Sequence, residues 1–179
     1  MPLGKVVVVN VISTCTVGKR LPLASLGGLE GFEYDPNKYH GKVAYFKNHH
    51  IEGRLSVFNT GKIISVGAKS ELSSRMNMQH LERILRLNNL IEKEIRDFKV
   101  QNIVASVDLE MPIEMEQVVG RIHGVVYELE QFPGAMFYLL KLIHVSVLLF
   151  YAGKAVLTGI KSEAQVPLAV EELYEALGV

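Results

Sequence analysis

The sequence predicts an α+β fold made of two copies of one unit, with an antiparallel sheet covered on one face by long helices. Three observations predict it. Phe58 to Glu71 reads FNTGKIISVGAKSE and Phe150 to Glu163 reads FYAGKAVLTGIKSE, identical at seven of 14 positions at an offset of 92. Unrelated segments of ordinary composition agree at about one such position, so the chain carries an internal duplication. The same offset lays VVNVIST (Val8 to Thr14) on VQNIVAS (Val100 to Ser106), and with it Asn10 on Asn102. An offset of 93 lays EYDPNKYHG (Glu33 to Gly41) on VYELEQFPG (Val126 to Gly134). The copies fill residues 5 to 95 and 97 to 179, which divides the chain into repeats 1–96 and 97–179.

Each copy opens on a β-rich apolar run, Val6 to Ile12 and Gln101 to Val107, that suits a strand. A small-residue or mixed stretch follows (Pro22 to Phe32, Pro112 to Gly124), with room for one or two helical turns. Next come a Tyr-acidic turn, two or three β-rich segments, and a tight turn at Gly61-Lys62 or Gly153-Lys154. A helix introduced by Ser-Glu closes each copy, from Ser70 to about Ile95 and from Ser162 to about Leu177. In the second helix Val166, Val170, Leu173 and Leu177 share one face, and Pro167 is tolerable in a first turn. Each half therefore supplies four or five strands and one long packing helix, and the strands can pool into one antiparallel sheet.

The other sheet face needs its own explanation. Phe58, Ile64 and Val66, and Leu148, Phe150, Val156 and Thr158, fall at even spacing on one face. The intervening Val57, Ile63, Ala155 and Leu157 are apolar too. A sheet apolar on both faces, with helices for only one, is either internal to an oligomer or made to receive a partner.

Composition narrows the function. The 179 residues hold 19 Lys+Arg and 19 Asp+Glu, so nucleic-acid binding would have to come from a local patch rather than overall charge. With 49% hydrophobic residues the chain is not a disordered tail. A lone Cys15 makes no internal disulfide and lacks the spaced partners of a zinc site, and the chain reads as intracellular. The mean hydropathy of +0.20 raises the membrane question at Phe132 to Gly153, where Lys141, His144 and the Pro133-Gly134 break speak against a span. The four-residue apolar run before Asn10 is too short for a signal peptide. There is no glycine-rich phosphate loop, nucleophile elbow or spaced metal cluster, so neither catalysis nor a cofactor is expected. His49-His50, with no third ligand at sensible spacing, reads as a solvated loop; Arg75, Arg83 and Arg86 read as the wet face of the first long helix.

DFKVQNIVAS (Asp97 to Ser106), YELEQFPG (Tyr127 to Gly134), VLLFYAGKAVLTGIKSE (Val147 to Glu163) and the weaker echo FNTGKIISVGAKSE resemble the two-repeat core of the TATA-box-binding protein family, across nearly the whole chain. The resemblance, closer to archaeal than to eukaryotic members, implies a pseudo-two-fold saddle. Its concave sheet would lie on the minor groove of A·T-rich promoter DNA, helices on the convex face, and bend it with wedging rings, a mode of which this family is the type case. Carried over by position, the wedges are Phe132 and Phe150 in the second half, Tyr39 and Phe58 in the first. Asn10 and Asn102 would meet base acceptors, beside Thr158 and its first-half counterpart Val66. Ile12, Ile64, Val104, Leu148 and Val156 would line the groove, and Ser56 stands where the first half usually has leucine. Lys62, Lys69, Lys154 and Lys161 match phosphate-contacting lysines, whereas Tyr45 and Tyr138 replace arginines. Four released counterions imply a log-log salt slope of about −3.6. Glu128 and Glu130 match the acidic loop that docks transcription factor B, through which RNA polymerase is recruited. The same resemblance implies a nucleoid-associated protein in an archaeal cell, or a nuclear one in a eukaryote.

The second repeat keeps the pattern better than the first, which also carries a two-residue insertion around Lys47 to Gly53. Two readings therefore stay open: a general transcription initiation factor, and a divergent paralogue that uses the saddle mainly for protein binding. A homodimer through the apolar face is a further partner left open.

Overall fold

The computed structural model describes residues 4–179, which fold as two compact units. The first is Asn10–Gln101; the second is Asn102–Val179 together with the residues up to Val9. The units thus break inside two long strands, β1 (Lys5–Thr16) and β6 (Arg96–Asp108), rather than between repeats.

After β1, the first unit continues with α1 (Leu23–Leu26), β2 (Phe32–Glu33), a 3₁₀ turn at Tyr39–Gly41, β3 (Val43–Phe46), β4 (Arg54–Phe58), β5 (Lys62–Ala68) and α2 (Glu71–Leu87). Its strands lie in the order β2-β3-β4-β5-β1, all antiparallel. After β6, the second unit has α3 (Met115–Arg121), β7 (Gly134–Leu139), β8 (Val145–Phe150), β9 (Lys154–Ile160) and α4 (Gln165–Leu177), with β6-β9-β8-β7 antiparallel. The stretch that raised the membrane question is mostly the β7–β8 hairpin, and no described helix is long and apolar enough to cross a membrane.

Strand alternation decides which side is covered. Leu55, Val57, Ile63 and Cys15 turn to one face and close a core with Met78, Leu81 and Leu85 of α2. Each fully buried leucine there contributes about 1.5–3 kcal/mol. Cys15 Sγ lies 3.3 Å from Met78 Sδ, and burial, helped by the charge of Glu82, pushes the thiol up to about 12, so Cys15 is a packing residue rather than a nucleophile. In the second unit Val147, Leu149, Ala155 and Leu157 are buried likewise, and α4 buries Val166, Val170, Leu173 and Leu177 as its spacing predicts.

The first long helix is shorter than the sequence predicts. It starts as expected, with Ser70 Oγ accepting from Ser73 N–H at 2.9 Å, but ends at Leu87 instead of near Ile95. Asn88 Nδ2 donates to the Ile84 carbonyl, and Asn89 turns left-handed at φ +56°, which asparagine tolerates better than most residues. The apolar positions that prolonged the helical pattern are used differently: Ile91 enters the core as irregular chain, and Leu90 and Ile95 pack against it. Arg75, Arg83 and Arg86 are exposed as expected, Arg75 over the Phe98 ring at 4.0 Å and Arg86 paired with Glu82.

The offset of 92 also joins His80 of α2 to Glu172 of α4, and both hold down a hairpin loop. Glu172 is buried and accepts from the Lys141 and Leu142 N–H groups at 2.7 and 2.9 Å. His80 meets Asn48 Nδ2 at 3.1 Å, with the His50 ring 5.1 Å away and His49 stacked on His50. His80 is the third imidazole that spacing along the chain does not reveal; no group of the described residues could hold a metal ion.

Burial, then the charges of His50, Arg83 and His49, hold the His80 imidazole below its ordinary 6.5. The unfolded chain therefore takes up this proton at a higher pH than the folded one, and stability falls as pH drops below about 6.5. Urea denaturation at about pH 7 and pH 5 should show a smaller acid loss for His80→Gln than for wild type; equal losses would remove His80 as the cause.

Candidate nucleic-acid interface

Each unit leaves one sheet face without a helix. In the first, strand register places Thr14, Ile64, Ser56 and Tyr45 in a row across β1, β5, β4 and β3. Ile12 and Phe58 share that face by alternation, and Val66, opposite Arg54, is exposed on it. In the second unit the rows are Val104, Thr158, Ser146 and Tyr138, and beside them Ser106, Val156, Leu148 and Met136. The aliphatic positions expected to line a groove, Ile12, Ile64, Val104, Leu148 and Val156, are all half-buried on these helix-free faces.

The two asparagines are placed by a pair of equivalent bulges. Register slips between Val11 and Ser13 against β5, and between Ile103 and Val104 against β9. The extra residue leaves a glycine N–H outside the ladder. Asn10 Oδ1 accepts from Gly67 N–H at 2.8 Å, and Asn102 Oδ1 from Gly159 N–H at 2.8 Å. Both glycines have strongly positive φ, +98° and +105°, and a Cβ there would come within 2.8 Å of Gly53 Cα or 2.9 Å of the His144 carbonyl. Asn and Gly are thus duplicated together because each requires the other.

This assigns the amide orientation, since only an oxygen can face a backbone N–H. The NH₂ groups are what the asparagines have left to offer. Asn102 Nδ2 gives one hydrogen to Thr158 Oγ1 at 3.1 Å. In the first unit the counterpart of Thr158 is Val66, and Asn10 Nδ2 has no acceptor among the described residues. Each face therefore offers hydrogen-bond donors amid aliphatic surface, complementary to a partner edge that carries acceptors only.

The aromatic residues are not arranged alike. Phe132 and Phe150 form a tilted pair with centroids 5.8 Å apart, and Gly134, opposite Phe150 on β7, leaves room for it: a Cβ would come within 2.8 Å of the Phe132 ring. Tyr39 and Phe58, the first-half positions matched to wedges, make no such ring pair among the described contacts. Tyr39 lies in a 3₁₀ turn whose first two residues are left-handed (φ +49° and +54°), and its ring stands edge-on to Tyr45 at 6.4 Å instead of meeting Phe58. Arg54 lies over the other partner of that contact, its guanidinium carbon 4.2 Å from the Tyr45 centroid. Arg54 was not among the residues expected from the sequence, although its even spacing from Ser56 and Phe58 assigns it to their face.

Lys62, Lys69, Lys154 and Lys161 are all exposed. Lys62 and Lys154 begin β5 and β9; Lys69 follows β5, its N–H held by Glu52 Oε2 at 3.0 Å. Glu128 and Glu130 are exposed in a turn where the Glu128 carbonyl accepts from both Gln131 and Phe132 N–H at 2.9 Å. The acidic loop and Phe132 of the second-unit ring pair are thus set by one turn.

Comparison with known proteins resolves the family. The family model described as "Transcription factor TFIID (or TATA-binding protein, TBP)" matches residues 5–87 and 97–178. The chain belongs to the TATA-box-binding protein family. The TATA-box-binding protein of Pyrobaculum calidifontis is 34% identical over 169 residues, covering 94% of this chain and 83% of its own. That of Methanobrevibacter smithii is 34% identical over 170 residues, covering 94% and 92%, and that of Saccharomyces cerevisiae 33% over 171, covering 94% and 69%. The solved Methanococcus jannaschii TBP superposes with a TM-score of 0.85 at 27% identity, covering 97% of this chain and 98% of that one. The α+β antiparallel fold expected from the repeats is the fold of the TATA-box-binding protein family, a family of transcription initiation factors and not of enzymes.

Proposed function

We propose that the helix-free faces bind the minor groove of A·T-rich promoter DNA and bend it, the rings of Phe132 and Phe150 entering a base step at one end. The observation that carries this reading is the pair of asparagines whose oxygens are committed to glycine N–H groups, which leaves amino hydrogens, one of Asn102's already given to Thr158, as what they can offer a partner. An A·T pair shows only the adenine N3 and thymine O2 acceptors in its minor groove, whereas G·C adds an amino donor. A donor-bearing apolar face accepts the first and rejects the second. The exposed Glu128 and Glu130 are where transcription factor B docks and brings RNA polymerase, in keeping with a turn that has no core role.

Inosine·cytosine pairs separate this mechanism from major-groove reading, because they keep G·C-like major-groove edges but lack the minor-groove amino group. Titration should give nearly equal affinity for an A·T box and its inosine·cytosine copy, and a loss of at least about tenfold for G·C at two or more positions. Weak binding to the inosine copy would overturn minor-groove readout. The first-unit rings that do not pair favour a second reading, a paralogue that binds proteins through this face; no affinity for any of the three duplexes would select it.

A further inference from the structure

We propose that Arg54 is a backbone-phosphate contact of the first unit, presented by stacking on Tyr45. The inference rests on the duplex binding proposed above. Alternation in β4 sends Leu55 and Val57 into the core and leaves Arg54, Ser56 and Phe58 on the helix-free face. Arg54 is exposed, and its guanidinium lies 4.2 Å from the Tyr45 ring centroid. Tyr45 is itself held by the edge of Tyr39 at 6.4 Å. A flexible cation is thereby given one orientation before any ligand arrives, and stacking occupies the guanidinium face while leaving its N–H edge open.

No internal ion pair accounts for this placement. Among the described residues the ion pairs are Lys38–Glu33, Arg86–Glu82, Arg96–Asp97 and Lys141–Glu175, and none involves Arg54. Glu33, across from Tyr45 in register, is engaged by Lys38 at 3.7 Å. The planar N–H fork of an arginine without a carboxylate matches a phosphodiester better than it matches a base edge that offers single acceptors.

The repeat supplies an internal comparison. An offset of 92 from Arg54 gives Ser146, which lies opposite the exposed Tyr138 in β7–β8. Ser56, opposite Tyr45, answers at the same offset to Leu148, which lies opposite Met136, so both the cation and the ring it stacks on belong to the first unit alone. The second unit has its ring pair at the Phe150 end of β8, and the first has a stacked arginine at the other end of the equivalent strand, β4. An additional cation on one unit and a ring pair on the other make the two ends of a bound duplex inequivalent.

Salt dependence tests the proposal on the full chain, with a fluorescent A·T-rich duplex as probe. With four lysines and Arg54 on phosphates, the log-log slope for wild type should be about −4.5. Arg54→Ala should reduce the slope by about 0.9 and lower affinity at low salt about tenfold, with an unchanged melting midpoint because the residue is exposed. Arg54→Lys should keep the slope. Neutral methylphosphonate placed singly along the box should weaken wild type at one phosphate near one end, and at that phosphate should have no further effect on Arg54→Ala. If wild type binds but Arg54→Ala retains its full slope and affinity, Arg54 is not a phosphate contact and the proposed function stands. If wild type binds no A·T-rich duplex, the proposed function itself fails and this assignment with it.

Discussion

Asn102→Asp folds as wild type does and loses DNA binding by at least about a hundredfold. The aspartate still has an oxygen for the Gly159 N–H that Asn102 accepts at 2.8 Å, so the bulge in β9 keeps its partner. What changes is the other atom: an amino donor becomes an oxygen with negative charge, aimed at groove acceptors. One lost hydrogen bond and a new repulsion together amount to about 3 kcal/mol. Asn102→Ala has the opposite profile in part. It strands the Gly159 N–H and costs about 1–3 kcal/mol of stability along with binding. Asn10→Asp should behave as Asn102→Asp does, because Gly67 N–H makes the same demand. Thermal unfolding and duplex titration on the same samples read both effects. An Asn102→Asp protein that binds as tightly as wild type would mean that the asparagines serve the bulges alone.

Phe132→Ala and Phe150→Ala each weaken binding about a hundredfold, and Phe58→Ala and Tyr39→Ala do so much less. Prying apart a base step costs a few kcal/mol and must be offset by a ring that fits it. The second unit brings its two wedge positions together, the rings 5.8 Å apart beside the glycine that makes room for them. Phe58 stands without Tyr39, whose ring is committed to Tyr45. Losing one member of the tilted pair also costs about 0.5–1.5 kcal/mol of native stability, so melting curves must accompany the titrations. A duplex that reports bending by energy transfer distinguishes weak binding from binding without a bend. Equal losses from all four substitutions would show that DNA pulls Tyr39 back to Phe58, and that the asymmetry belongs to the free protein only.

Much of this was legible before any coordinates. A duplication with seven identities in 14 positions announces two similar units, and alternation in β4, β5, β8 and β9 separates a face for the helices from a face without them. Asn10 and Asn102 could be picked out because a polar residue recurs at one place in two apolar strands. The end of α2 could not be read from periodicity, since Leu90, Ile91 and Ile95 are apolar at helical spacing yet reach the core as irregular chain.

What the sequence determined by itself is the repeat, the alternation of faces and the membership of each residue in one face, because these follow from the chain's own period. Tertiary structure decided the partners. It decided that the asparagine oxygens are committed to glycine N–H groups and that Asn102 shares its amino group with Thr158, which depends on where β5 and β9 bulge. It also turned Tyr39 toward Tyr45, laid Arg54 on the same ring, and gave His80 and Glu172 one task with different chemistry. The physical reason is that a period along one strand records direction only, whereas a contact depends on register between strands, and one inserted residue in a ladder changes which atoms meet.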